Sequence, residues 1–186
     1  MIVTISGMPG SGKTTVGKII AEKLNYNFFS AGELRGKIAL DRGLTLDELN
    51  RLGETDKTTD TTVDEYQKKL GQENDNFVIE GRLSWLFIPN SYKIFLDCDS
   101  KTAADRLIKS REQRPDESLP ADPEKVRDII EKRVQSDTKR YSAFYNVDYK
   151  DPKHYDLVLD TAELKSANQT ADLVLKALRT RLDSQA

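Results

Sequence analysis

Residues 7 to 14 read Gly7-Met8-Pro9-Gly10-Ser11-Gly12-Lys13-Thr14, the spacing G-x-x-x-x-G-K-[ST], with a second threonine at Thr15. A segment this rich in glycine bends tightly enough for successive backbone N–H groups to point inward at phosphate oxygens. Lys13 brings a positive charge to the β- and γ-phosphates, and the Thr14 hydroxyl is placed to ligate Mg²⁺. A short apolar run over residues 2–6 precedes the segment, and helical periodicity over residues 16–24 follows it. That is the strand–loop–helix setting such a loop needs, and the helix adds its N-terminal partial positive charge. The segment is a P-loop, and the chain is expected to bind a nucleoside triphosphate or diphosphate.

The same loop serves GTPases, motor ATPases and small-molecule kinases, so further residues must discriminate. The N-K-x-D guanine reader of GTPases is absent from the chain. An apolar strand ending in two adjacent acids, as motor ATPases carry, is also missing; single acids end two apolar runs, FVIE at Glu80 and KIFLD at Asp97. Glu80 is the better Mg²⁺-side candidate because Gly81 and Arg82 follow at once. Asp97 could equally cap the next helix. Arg82, Arg106, Arg111, Arg114, Arg133 and Arg140 lie at predicted strand ends, in a polar loop, or in the helices flanking it. Phosphoryl transfer needs cations that offset charge on the moving group more than it needs covalent chemistry. Arg133, Asp137 and Arg140 stand at i, i+4 and i+7, one face of a helix. Taken alone, that spacing fits a solvated salt-bridge stripe better than an active site.

The elements that must position these groups alternate. Strands are expected over residues 2–6, 27–30, 76–80, 92–97 and 156–160, and helices over 16–24, 101–112, 123–144 and 167–182. Residues 33–70 are helix-permissive with breaks near Gly43 and Gly53, and Thr45-Leu-Asp-Glu48 is a capping-box pattern. Continuous apolar strands separated by helices predict an α/β fold with a parallel sheet covered on both faces. The 186 residues suit one domain, and 37% hydrophobic with 32% charged residues leaves enough apolar content for one core. Lysine and arginine number 29 against 31 acids, a net charge of −2, so a nucleic-acid partner is not expected. One cysteine and one histidine exclude an internal disulfide framework and a His/Cys zinc site. A membrane partner is not expected either, since no apolar run is long enough to span a bilayer. The MIVTISG start has neither the basic segment nor the cleavage site of a secretory signal, so a cytoplasmic location is expected. Cys98 reads as a buried small hydrophobe, His154 as a surface or capping residue, and Trp85 as core filling rather than a base-stacking ring. Tyr141 and Tyr145 read as a pair packing the long helix against the sheet.

Beyond the P-loop, the chain carries Ser30-Ala-Gly32-Glu33, the Asp41-to-Glu48 helix start, Glu80-Gly-Arg82-Leu-Ser84, KIFLD, Arg133-x-x-x-Asp137-x-x-Arg140-Tyr141, Tyr145-Asn-Val-Asp148 and Tyr155-to-Thr161. In these it resembles the cytidylate kinases, particularly the short type of archaea and some bacteria, over most of its length. The resemblance implies a three-layer P-loop kinase fold on a sheet of about five parallel strands. It also implies transfer of the γ-phosphoryl of ATP, with Mg²⁺, to CMP or dCMP, in an enzyme expected to be a monomer. It further implies a monophosphate-binding flap over residues 31–71 and a lid over 111–125. Gly7 to Thr15 would hold ATP, with Thr14 and Glu80 on the Mg²⁺ side. Ser30, Gly32, Arg35, Arg82, Arg133, Asp137 and Arg140 would hold the acceptor. Lys13, Arg82, Arg106, Arg133 and Arg140 would act in transfer, with Asp137 orienting the arginines or meeting the sugar. Other acceptors, AMP, UMP or a small metabolite such as shikimate, remain open, as does a slow nucleotide-dependent switch.

One departure stands out. Related flaps place an arginine seventh in S-x-G-D-x-x-R, but counting from Ser30 the seventh residue is Gly36 and the arginine is Arg35. A one-residue shift turns a helical side chain by about 100°. Without nucleotide, Arg133 and Arg140 are expected to be solvated, so that removing either costs the fold little. For the P-loop, Lys13→Ala should abolish most turnover while circular dichroism shows an intact fold; a folded variant of near-normal activity would remove the loop from the chemistry.

Overall fold

The computed structural model describes residues 1–113 and 119–183. Five strands, β1 (Ile2–Gly7), β2 (Asn27–Ser30), β3 (Phe77–Glu80), β4 (Tyr92–Asp97) and β5 (Leu157–Asp160), form one sheet in the order β2-β3-β1-β4-β5, with every pairing parallel. The helices are α1 (Lys13–Leu24), α2 (Ala31–Asp41), α3 (Leu46–Gly53), α4 (Thr58–Glu73), α5 (Ser84–Phe87), α6 (Ser100–Lys109), α7 (Pro123–Tyr145) and α8 (Ala167–Asp183).

Every residue of β1 is buried, as a central strand flanked by β3 and β4 requires. Its two faces feed separate cores. Val3 and Ile5, with Val78, Ile94 and Leu96, pack on α1 and α8 through Val16, Ile20, Val174 and Leu178. Ile2, with Phe77 and Ile79, meets Leu70 of α4 and Ile88 on the other side. Phe95 of β4 meets Tyr141 of α7 and Tyr149 there, and α6 joins α7 through Leu107, Val126 and Ile130. Three layers result, with the sheet in the middle.

Element limits differ from expectation by local chemistry. Helix α1 begins at Lys13, three residues early, because Gly12 takes a left-handed N-cap (φ 88°) and turns the loop directly into the helix. Strand β3 begins at Phe77, since Asn76 adopts a left-handed turn (φ 55°). Asp156 precedes β5, and its Oδ2 accepts from the Lys93 amide at 2.9 Å. Helix α6 stops at Lys109, followed by a 3-10 turn at Arg111–Gln113. Its N-cap is Asp99, whose Oδ1 accepts from Thr102 N at 2.9 Å; Asp97 instead accepts from its neighbour Cys98 N. Helix α5 has only four residues and leaves no periodic trace in the sequence. The expected lid falls partly at 114–118, outside the described residues.

In a sheet of this order, β1 sends its chain toward β2 whereas β3 sends its chain across β1 to β4, so a crevice opens at the carboxyl ends of the central strands. Register places Ser30 opposite Glu80, and Gly7 opposite Leu96, at that edge. Helices α2, α3 and α4 roof one side. The α3 start is a full capping box: Glu48 N donates to Thr45 Oγ1 at 3.2 Å, and Thr45 N donates to Glu48 Oε2 at 2.8 Å. Thr45→Ala should therefore cost about 1 kcal/mol of local stability, read as faster amide exchange over residues 46–53 with the β1 amides unaffected.

Candidate active site

An open cleft of about 1040 Å³ runs across the carboxyl edge of the sheet. On one side lies the P-loop. Gly7 (φ 144°) is pinned beneath β4, where a side chain would strike the Leu96 carbonyl. Met8 N donates to that same carbonyl at 3.0 Å, and Ser11 N to Met8 O at 3.2 Å, which closes the loop on itself. Gly12 supplies no side-chain cap to α1, so the first N–H groups of that helix face the cleft uncapped, as an anion cradle needs. Lys13 is buried, its ammonium donating to Gly7 O (3.1 Å) and Met8 O (2.7 Å). Pro9, Gly10, Thr14 and Thr15 line the same wall.

Arg106 of α6 also reaches this wall. Its Nη1 donates to Thr161 Oγ1 at 2.9 Å and its Nη2 to Thr161 O at 2.7 Å, while Thr161 Oγ1 donates in turn to Asp97 O (2.9 Å) or Ser11 O (3.2 Å). The threonine after β5 thus ties the arginine to the P-loop.

The opposite side holds the arginines. Asp137 of α7 receives Arg140 Nη2 at 2.7 Å and pairs with the Arg82 guanidinium. Asp60 of α4 pairs closely with Arg35 and, at 3.5 Å, with Arg140. Asn50 Oδ1 of α3 accepts from Arg35 Nε at 2.9 Å and Arg140 Nη1 at 3.4 Å. Arg133 Nη2 reaches Asp47 Oδ1 of α3 at 2.9 Å. Gly53 is what lets Arg140 lie against α3: a Cβ there would stand 3.1 Å from Arg140 Nη1 and 2.7 Å from Thr59 Oγ1.

The expectation that Arg133 and Arg140 are solvated is overturned. Arg140 is only 1% exposed and Arg133 9%. The stripe faces the floor of the cleft, where α7 meets α3 and α4, and aspartates on three helices replace the water that a surface stripe would have. Arg35, in turn, is buried against α3 and α4 and faces the cleft despite its shifted position in the motif.

This cluster is positively biased. Arg35, Arg82 and Arg140 share two directly paired acids, Asp60 and Asp137. Burial works against the charge of Arg82, yet Asp137, with Tyr149, Tyr141 and Glu80, holds its pKa above the ordinary arginine value. Arg140 is raised likewise, burial being outweighed by Tyr141, Asp137 and Asp60. Arg35 is lowered, first by burial and then by the neighbouring charge of Arg140. Among the described residues, Arg35 Nη2 and Arg140 Nε are buried with no protein acceptor, and Asp60 Oδ2 with no donor. Buried donors beside surplus positive charge suit an anion.

Glu80, at the end of β3, is buried and accepts from the Ser30 hydroxyl across the strand pair. Gly32 lies beneath it, its would-be Cβ 3.4 Å from Glu80 Oε1. Glu80 and Thr14 both line the cleft, whereas Asp97 does not. Among the described residues no three acidic, histidine or cysteine side chains cluster as a metal cage. One carboxylate and one hydroxyl suit Mg²⁺, which takes few protein ligands and completes its octahedron with waters and phosphate oxygens.

Trp85 is buried and donates from Nε1 to Arg82 O at 3.1 Å, stacked on His154 at 4.2 Å; it packs the turn and does not line the cleft. Cys98 is buried. Sequence reasoning missed Asp47, Asn50, Asp60, Asp64 and Gln67, all on the roof helices. The available signal was a polar stripe, Asp60, Asp64 and Gln67 at i, i+4 and i+7, where an amphipathic helix would bury apolar residues. Tyr145 was read as packing only, but it also lines the cleft.

A P-loop at the switch point of a five-stranded parallel sheet, facing a wall of arginines, defines a P-loop kinase of small molecules. Residues 2–163 match the cytidylate kinase-like family, and the chain belongs to that family. It is 38% identical over 178 residues to the cytidylate kinase of Methanocella arvoryzae, covering 96% of this chain and 97% of that one. The cytidylate kinase of Archaeoglobus fulgidus is 34% identical over 182 residues, covering 97% and 96%. Shikimate kinase from Bacteroides thetaiotaomicron shares the fold, with a TM-score of 0.67 at 17% identity over 96% of this chain and 98% of that one. Among the described residues, no helix is long and apolar enough to cross a membrane.

The burial of Arg140 sets a measurable cost. Arg140→Ala would leave Asp60 and Asp137 with reduced compensation, so unfolding stability should fall by about 3–5 kcal/mol. Arg106→Ala, at a less enclosed position, should cost markedly less. Denaturant melts of both variants decide it; equal and small losses would show that the arginine face is not structural.

Proposed function

We propose that the chain transfers the γ-phosphoryl group of ATP to the 5′-phosphate of CMP or dCMP, yielding ADP and CDP or dCDP. The observation that carries this reading is the cleft itself: a phosphate cradle on one wall faces buried arginine donors without protein acceptors on the other. Two phosphorylated ligands meeting there would place donor and acceptor head to head, and orientation of this kind supplies much of the rate. The relatives named cytidylate kinase support a cytidine acceptor.

In this reading the P-loop amides, from Gly7 to Thr15, wrap the ATP phosphates, and the Lys13 ammonium exchanges its carbonyl partners for the β- and γ-oxygens. Thr14 and Glu80 would hold Mg²⁺, which when bound offsets charge on those oxygens. Arg35 and Arg82, with Ser30 and Gly32 at the flap entrance, hold the acceptor phosphate. Arg133 and Arg140 bridge the two phosphates, Asp137 keeps Arg82 and Arg140 in place, and Arg106 approaches from the ATP side. Because α2 to α4 are tied to α7 through these ion pairs, an arriving phosphate competes with Asp60 and Asp137 for the same guanidinium groups. We read residues 31–71 as the acceptor flap and residues 111–125 as the ATP lid. One chain supplies both walls, so a monomer suffices.

The test is coupled ADP release with Mg²⁺ and ATP across CMP, dCMP, UMP, AMP and shikimate. Strong stimulation by a cytidine nucleotide, lost on removing Mg²⁺, is expected. Stimulation by AMP or shikimate alone would overturn the acceptor, and stimulation by none would overturn the kinase reading.

A further inference from the structure

Past the phosphate-holding arginines, the cleft continues along α4. Asp60, which pairs with Arg35 and Arg140, is followed on the same face by Val63, Asp64 and Gln67, and all four line the cleft. From Asp60 to Asp64 and Gln67 is about 6–10 Å along the helix axis at 1.5 Å per residue, roughly the reach of a nucleoside from its phosphate to the far edge of its base. Val63 on this face, and Leu46 and Leu83 elsewhere in the cleft lining, supply apolar surface for a flat ring.

The two polar groups at its far end are half-committed. Tyr145 of α7 donates its hydroxyl to Asp64 Oδ2, and among the described residues no donor meets Asp64 Oδ1. Gln67 is 3% exposed; its Oε1 accepts from Ser84 Oγ at 2.6 Å, which leaves the amide NH₂ as its remaining hydrogen-bonding group. The wall thus offers an acceptor at Asp64 and a donor at Gln67, one helical turn apart on one face.

We propose that Asp64 and Gln67, positioned by Tyr145 and Ser84, read the base edge of the acceptor and select a 4-amino pyrimidine over a 4-oxo pyrimidine. Cytosine presents an exocyclic amino donor at C4 beside the N3 acceptor, the complement of Asp64 and Gln67 in that order. Uracil presents a carbonyl oxygen and an N3–H, which would set acceptor against carboxylate and donor against amide. A site built for hydrogen bonds rejects the wrong partner strongly, because its own buried groups are then left unpaired. The inference rests on the kinase reading above and names the group that discriminates within it.

The pair is also responsive to pH. Burial, the largest influence, pushes the Asp64 carboxyl up to about 6; the Tyr145 hydroxyl, Lys68 and Lys57 pull it down, and Asp60 raises it. These are the titratable and charged groups that face it: Asp60 and Lys68 from α4, Lys57 at the α4 start with its ammonium 5.0 Å over the Tyr145 ring, and Tyr145 from α7. Helix α5 contributes no titratable group. Cytosine's amino group favours ionised Asp64. As pH falls through 6 the carboxyl gains a proton and becomes a donor toward Oδ1, which suits the uracil carbonyl. Preference for CMP over UMP should therefore decline on acidification.

A competition assay with equal CMP and UMP reads the ratio of kcat/KM values directly. It also cancels the titration of the acceptor phosphate, which both nucleotides share. The wild-type enzyme should favour CMP by on the order of 10²-fold or more at pH 7.5, and several-fold less at pH 5.5. In Asp64→Asn the Tyr145 hydroxyl keeps the amide oxygen and turns the NH₂ toward the base, so the ratio should fall at least about tenfold and lose its pH dependence. Tyr145→Phe removes a bond that stabilises the ionised carboxylate, so the decline should begin at higher pH; this variant carries the test if Asp64→Asn does not fold. An unchanged ratio in folded Asp64→Asn, or an unmoved pH profile in Tyr145→Phe, overturns the inference while CMP turnover leaves the kinase reading standing. A wild-type enzyme that turns over neither pyrimidine overturns both.

Discussion

Three arginines and two aspartates, all buried except the half-buried Arg82, gather where α4 meets α7 and hold the cleft in shape. Arg35 and Arg140 converge on Asp60, and Arg82 and Arg140 converge on Asp137. Taking such charges out of water is costly, and only mutual pairing with good hydrogen bonds offsets the cost. That requirement restricts where α4 can sit relative to α7, because a displaced α4 would take Asp60 away from both of its guanidinium partners. The roof is therefore located by these pairs as well as by Leu70 of α4, which packs against Phe77 and Ile79 of the sheet. The opposite P-loop wall rests on backbone geometry and on the apolar core around β1.

The same cluster explains how a site can be both stable and ready to bind. Its direct pairs leave positive charge in excess, and two donors, Arg35 Nη2 and Arg140 Nε, lie buried without a protein acceptor among the described residues. In the proposed reading an arriving phosphate would meet arginines already gathered out of solvent, so the guanidinium groups would need only to exchange partners. Electrostatics that stabilise the ligand-free fold are thus continuous with those that would stabilise the transferring group. A rotamer already locked by Asp137 is also an oriented one.

Across the cleft the division of labour follows the secondary structure. In the proposed reading, strand ends and the P-loop, whose positions are set by the sheet, would handle the phosphates that every substrate shares. Helix α4, which belongs to the roof and not to the sheet, would meet the part of the ligand that differs from one acceptor to another. Placing discrimination on Asp64 and Gln67, one to two turns beyond Asp60, lets one rigid helix align phosphate and base together, which a loop would do less accurately.

Local patterns in the chain were sufficient for the frame. The P-loop with its flanking strand and helix, the five strands, their parallel arrangement and the Thr45 capping box all depend on neighbours in sequence, through backbone propensity and apolar period, and the structure reproduces them. Glu80 and Arg82 were legible as candidates because a strand end followed by glycine is itself a local feature. The environment of the arginine face was not. Spacing placed Arg133, Asp137 and Arg140 on one side of a helix, but whether that side meets water or Asp60, Asn50 and Asp47 depends on how helices more than 75 residues apart in sequence pack, as in the Arg140–Asp60 and Arg133–Asp47 contacts. Asp60, Asp64 and Gln67 form a polar stripe that α4 by itself shows, but a stripe of that kind suits a solvated face equally well, and nothing local says that this face is the buried one. Burial and charge compensation are properties of the assembled layers, and only the tertiary structure could decide them.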